Sequence, residues 1–295
     1  MWYGMALAVF ANILFGVIFL YGVWLQPLNG TDVFAWRMVA MAAVMLLWLT
    51  VTGQRPMLLR QLAKIRGWKV WLLLVLPTPI LASQFWLFMW APANGHGLNV
   101  AMGYFLFPLI MIVAGRLFLG ERWDSWQAAA VACATAGVLW ELLRTGAFAW
   151  STAWIAFTYP AYYLIRRQQR VPAVVGLTVD LLLIAPCVGW YLLTASDSLA
   201  LITARPVLAA AVLSLGVFSV WAMQCNLQAG LQLPVALFGM MNYLKPVLLL
   251  VLAVLYLQEA VQAQMLPAYG LIWLGVCLAV WGAWRRGYQP VCKNS

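Results

Sequence analysis

Charge is scarce in this chain. Only 8% of its 295 residues are Asp, Glu, Lys or Arg, against roughly a quarter in a soluble globular domain. The seven acidic residues are spread singly, and His96 is the only histidine. That spacing argues against an integral membrane enzyme acting on a lipid-linked substrate, which needs clustered carboxylates or a carboxylate beside a histidine. The five cysteines, Cys133, Cys187, Cys225, Cys277 and Cys292, show no metal-type spacing. Four of them fall in apolar runs, where a thiol packs as a small apolar group. No metal, cofactor or catalytic group is therefore expected. A Gly-rich phosphate-cradling loop with its Lys is also missing, so ATP is not the expected energy source. The N-terminal run has no basic segment or small-residue cleavage site before its apolar stretch, and reads as an uncleaved membrane helix.

What is there is hydrophobic: 66% of the residues are apolar. No water-soluble core can bury so much, which makes the bilayer the natural solvent. A helix crossing the hydrocarbon needs roughly 20 mostly apolar residues. Ten such runs are present, at 3–25, 33–52, 70–90, 98–118, 125–143, 149–165, 173–194, 207–228, 233–256 and 265–284. The predicted fold is an all-α integral membrane protein with ten transmembrane helices.

The net charge of +10 does not point to nucleic acid, because the basic residues form no continuous face. They sit in short loops instead. With both termini on the cytoplasmic side, thirteen Lys and Arg lie on that side and only Arg144 and Arg205 on the other. Such a bias sets orientation in membrane proteins. It predicts a multi-pass protein of a bacterial-type inner membrane. Lipid is one expected partner and a small-molecule substrate the other; a homo-oligomer is left open.

The chain also repeats itself. At a constant offset of 138, Pro108 matches Pro246, Glu121 matches Glu259, and Gly137-Val138 matches Gly275-Val276. Leu106, Val113, Leu117 and Leu119 fall on Leu244, Val251, Leu255 and Leu257 in the same ungapped register. Each half holds five spans, an odd number, so the halves enter the membrane in opposite senses. Glu121 is then expected on the cytoplasmic side and Glu259 on the outer side. Inverted five-helix repeats of this kind let a central site face either side in turn. The expected units are 1–146 and 147–286, followed by a cytoplasmic tail at 287–295.

These features resemble the EamA branch of the drug/metabolite transporter superfamily, and within it RarD-like proteins. The resemblance rests on Trp86 and Trp90, the Asn94-Gly95-His96 turn, Gly103-Tyr104-Phe105 with Pro108, and Gly120-Glu121. Asp32, Arg37, Arg166, Arg167 and Gly176–Asp180 extend it over nearly the whole chain. It implies two EamA-like repeats, alternating access and export. The chain departs from the pattern at Phe107, at Lys245 before Pro246, and at Gln258-Glu259.

Ionisable residues inside spans are costly, and so are functional candidates by default. Lys245 is the deepest, about 12 residues into the ninth run, or roughly 18 Å along a helix. It reads as the ligand of a substrate carboxylate, with a structural pair to Asp180 as the alternative. Asp180 can equally couple protons or bind a substrate amine. Arg37 is placed either to sense an anion or to snorkel to the outer interface. Tyr104, Asn242, Tyr243, Trp86, Gln84, Gln224 and Asn226 are candidate cavity-lining groups. Pro108, Pro246, Glu121 and Glu259 read as structural or gating residues. The expected cargo is a small amphoteric or carboxylated metabolite: an amino acid or a derivative of one, opine-type metallophores included. Export of drug-like compounds is a further alternative.

Overall fold

The computed structural model describes residues 2–63, 67–119, 125–145, 149–169, 171–233, 238, 241–258 and 263–285. Glu121, Glu259 and the tail lie outside these residues. Among the described residues every regular element is helical. In chain order the helices are α1 (Trp2–Trp24), α2 (Gly30–Val51), α3 (Arg55–Ala63), α4 (Trp68–Val75), α5 (Pro77–Ala93), α6 (Gly97–Leu119) and α7 (Ser125–Thr145). There follow α8 (Trp150–Gln169), α9 (Ala173–Thr194), α10 (Ser198–Ala204), α11 (Pro206–Gln232), α12 (Leu244–Leu255) and α13 (Leu266–Arg285).

Five segments are long and apolar enough to cross a membrane: Trp2–Trp24, Gly30–Val51, Trp71–Ala93, Ala173–Thr194 and Pro206–Gln232. Gly97–Met111, Leu244–Leu255 and Ala263–Leu278 are shorter apolar stretches. Many large apolar side chains face outward, among them Trp190 and Leu193 on α9, Val207 on α11 and Leu255 on α12. A surface of that kind belongs against lipid, where helices satisfy their own backbone groups.

Local chemistry sets several helix boundaries. At the start of α2 the Asn29 side chain accepts from the Asp32 amide at 2.8 Å and donates to the Asp32 carboxylate at 2.8 Å. This satisfies a first-turn N–H and puts negative charge at the positive helix end. The run expected to form one span at 70–90 is divided into α4 and α5 at Leu76. Pro77 opens α5, and Pro79 follows one residue after Thr78; neither can donate a backbone bond to the preceding turn. The regions read as loops at 53–69 and between the seventh and eighth runs contain the short helices α3 and α10. Before α12, Met241 and Asn242 are helical and Tyr243 forms a turn. Pro246 cannot donate to the Asn242 carbonyl four residues back, and the helix is interrupted one turn ahead of the proline.

The largest core cluster joins side chains from α1, α2, α5, α6, α8, α9, α10, α11 and α12. A second lies among α6, α7, α12 and α13. Helices α1 and α11, α2 and α9, α6 and α8, α6 and α12, and α7 and α13 pack directly on one another. The α7–α13 crossing is reciprocal. A Cβ placed on Gly137 would stand 2.9 Å from the Ala268 carbonyl oxygen, and one on Gly275 would stand 2.7 Å from the Ala130 carbonyl oxygen. Moving forward along α7 from Ala130 to Gly137 therefore moves backward along α13 from Gly275 to Ala268. The two helices run antiparallel, and only glycine permits so close a backbone approach.

Candidate functional site

The deepest candidate, Lys245, is held at the start of α12 and is 5% exposed. Four aromatic rings surround its ammonium. Nζ stands 3.8 Å from the centroid of Tyr104 (α6), 4.3 Å from Phe15 (α1), 5.2 Å from Tyr159 (α8) and 5.3 Å from Phe88 (α5). A cation over an aromatic face is attracted by the ring quadrupole, most strongly where water is excluded.

Arg37, on α2, is fully buried at 1% exposure. Its guanidinium lies over Phe85 at 4.6 Å and over Phe88 at 5.7 Å. Nε donates to the Ser219 hydroxyl on α11 at 2.8 Å, while Nη1 has no hydrogen-bond partner. Arg37 is packed among side chains of α5 and α11. Lys245 and Arg37 thus share the Phe88 ring, and neither forms an ion pair with a carboxylate among the described residues. Two buried cations in one apolar neighbourhood are expensive unless an anion joins them.

Asp180 is elsewhere. Buried on α9, its carboxylate is paired with Arg166 on α8. It also accepts from the Thr78 hydroxyl at 2.6 Å and from Tyr162 at 3.4 Å. Arg166 donates further to the Gly176 carbonyl and the Gln169 side chain. The Lys245–Asp180 pair offered by the sequence is not formed. Arg166 lies within α8 and already has its partner.

The remaining candidates divide by surroundings. Gln84 on α5 donates to the Thr158 hydroxyl at 2.7 Å, and its Oε1 is unpartnered. Asn226 on α11 donates to the Tyr163 hydroxyl at 2.7 Å, also with its Oδ1 unpartnered. Each of these bonds joins a neighbouring helix to α8, through Thr158 and Tyr163. Gln224 meets the Met45 sulfur at 3.6 Å. Asn242 donates to the Phe238 carbonyl at 2.9 Å, and the Tyr243 hydroxyl is buried without a partner. Pro108 lies inside α6, where the helix continues past it.

Trp86 belongs to a different group. Its indole donates to the Thr31 hydroxyl at 3.1 Å and stacks on Trp90 and Trp150, with Trp90 in turn stacked on His96. These rings stand near the end of the bundle where α5 turns into α6. Two open depressions mark the same end. One, of about 580 Å³, is lined by residues of the α1–α2 and α5–α6 turns and by Arg205; the other, of about 340 Å³, shares Gln26 and Ala93 with it.

Sequence reasoning missed Phe15, Phe88, Tyr159 and Ser219. An apolar residue in an apolar run carries no signal of its own. Only Tyr159, in the run Tyr159-Pro160-Ala161-Tyr162-Tyr163, offered a clustering of hydroxylated rings that reasoning could have used.

A helical bundle with long apolar helices and large apolar side chains on its outer surface defines a multi-pass membrane protein. Its first half, residues 2–143, matches the model of the EamA-like transporter family. An uncharacterized transporter of Haemophilus influenzae is 43% identical over 276 residues, covering 92% of either chain. The chloramphenicol-sensitive protein RarD of Pseudomonas aeruginosa is 36% identical over 284 residues, covering 96% of this chain and 95% of its own. The chain belongs to the EamA-like transporter family, on its RarD-like side, and is a transporter rather than an enzyme. A solved crystal structure that is 20% identical superposes with a TM-score of 0.63 over 97% of this chain and 99% of that one, which shows a shared fold.

Proposed function

We propose that this protein is a secondary transporter of the bacterial inner membrane that exports a small carboxylated or amphoteric metabolite by alternating access. Amino acids and their derivatives, opine-type metallophores included, are the cargo class. The observation that carries this reading is the pair of buried cations, Lys245 and Arg37, over the single Phe88 ring with no carboxylate partner among the described residues. An anion entering between them gains two charge-assisted contacts in a dry setting, where such contacts are strong. The unpartnered Oε1 of Gln84 and Oδ1 of Asn226 supply acceptors suited to the amine of an amphoteric solute.

Ten spans arranged as two inverted five-helix repeats, with both termini cytoplasmic, form the framework of this reading. The ungapped 138-residue register and the reciprocal antiparallel packing of Gly137 and Gly275 support it. Under that arrangement the two halves exchange conformations, and the central site opens to either side.

The test is metabolite profiling of cells and medium with and without the protein, followed by flux of the identified compound in proteoliposomes. Retention of one carboxylated metabolite in cells lacking the protein, with flux restored by the purified chain, is the expected result. Unchanged profiles together with loss of a lipid-linked product would overturn it.

A further inference from the structure

The rings around Lys245 hold one another in place. Phe15 meets Phe88 edge-to-face at 6.3 Å, Phe88 meets Tyr104 at 6.0 Å, and Tyr104 meets Tyr159 at 5.7 Å, with interplanar angles of 70°, 76° and 81°. Each ring comes from a different helix, so four helices contribute one wall apiece. This is a stable geometry for aromatic pairs, and it does not depend on the lysine. What the rings enclose is an alkylammonium, donated by the chain itself.

We propose that Phe15, Phe88, Tyr104 and Tyr159 form an ammonium-binding cage, that Lys245 fills it as a tethered ligand, and that this occupancy excludes free organic ammonium cargo. The inference deepens the transport reading and rests on it for the sign of the excluded cargo. Cages of several aromatic faces are a recurrent means of recognising alkylated ammonium groups. A bare cage in this position would favour a cationic amine. With the cage occupied and Arg37 over the neighbouring face of Phe88, an incoming cation meets both a filled site and like charge. Specificity then comes from repelling the wrong solute as much as from attracting the right one. Lys245 is thus a specificity-determining residue, and its removal changes the class of ligand.

The experiment uses the purified full-length chain in detergent, as wild type, Lys245→Ala and Lys245→Met. The probes are n-propylammonium, which replaces the deleted atoms with their charge, and neutral n-propanol, which replaces only their bulk. Binding is read by calorimetry and by change in melting temperature. Lys245→Ala is expected to bind n-propylammonium about thirtyfold tighter than n-propanol, the scale of one desolvated cation–π contact. Wild type and Lys245→Met, whose cages are filled, are expected to bind neither. Adding Tyr104→Leu to Lys245→Ala should remove the preference for charge.

If the Ala variant folds only when n-propylammonium is present during purification, that rescue supports the cage equally well. Rescue by both probes alike, by neither, or equal binding of both by a folded Ala variant overturns it. A wild-type chain that carries no carboxylate would defeat the transport reading while leaving the cage result intact, so the two failures are distinguishable.

Discussion

Arg166 reaches from α8 to the carboxylate of Asp180 on α9, and the same carboxylate accepts from Thr78 at the break between α4 and α5. Three segments of the bundle are thereby tied to one buried charge. Removing a single partner of such a pair leaves the other charge uncompensated, at a cost of about 3–5 kcal/mol. Asp180→Asn is expected to lose about that much unfolding free energy, measured by denaturant titration in detergent. The double variant Arg166→Met with Asp180→Leu should recover much of the loss. A double variant as unstable as the sum of the two single changes would show that the pair is not coupled.

Gly137 and Gly275 occupy matching places in one antiparallel crossing, each against an alanine carbonyl of the other helix. Adding a methyl group at either forces the helices apart, an overpacking cost of about 1–3 kcal/mol. Gly137→Ala and Gly275→Ala should lower the melting temperature by similar amounts. A large effect at one position with none at the other would contradict the reciprocal geometry.

Lys245 and Arg37 are expected to act together on an anionic solute. Lys245→Ala and Arg37→Ala should each reduce carboxylate flux roughly tenfold to a hundredfold, the range of one lost hydrogen bond to a charged group. Proteoliposome flux of the profiled metabolite provides the measurement. Normal transport by the Lys245 variant would remove this residue from the path of the solute.

Topology is open to direct measurement. In a chain freed of its five cysteines, Glu121→Cys and Glu259→Cys should react with a membrane-impermeant thiol reagent from opposite sides of the membrane. Labelling of both from one side would dismantle the inverted arrangement and the alternating access built on it.

Much of the helical organisation was legible in the sequence because long apolar runs broken by Pro, Gly and charge dictate it. Thus Trp2–Trp24 and Ala173–Thr194 fall close to the runs at 3–25 and 173–194. The break at Leu76 was less visible: hydropathy registers apolar content, whereas the missing N–H groups of Pro77 and Pro79 act on backbone bonding. At the site, the isolated charges Arg37, Asp180 and Lys245 stood out because charge is rare in such runs. Their pairing did not. Asp180 meets Arg166, fourteen positions earlier, through the packing of α8 on α9, which no local spacing announces. Phe15 and Phe88 acquire meaning only once the fold brings them to Lys245.

The shared neighbourhood of Arg37 and Lys245 also bears on leakage. Fixed positive charge at a constriction raises the electrostatic barrier to protons and alkali cations, as it does in pores that must pass neutral solutes without dissipating a gradient. Under the proposed alternating access, the interior would open to either compartment while the membrane voltage stays insulated. Its passive proton conductance, with no solute bound, should rise when either cation is replaced by a neutral residue.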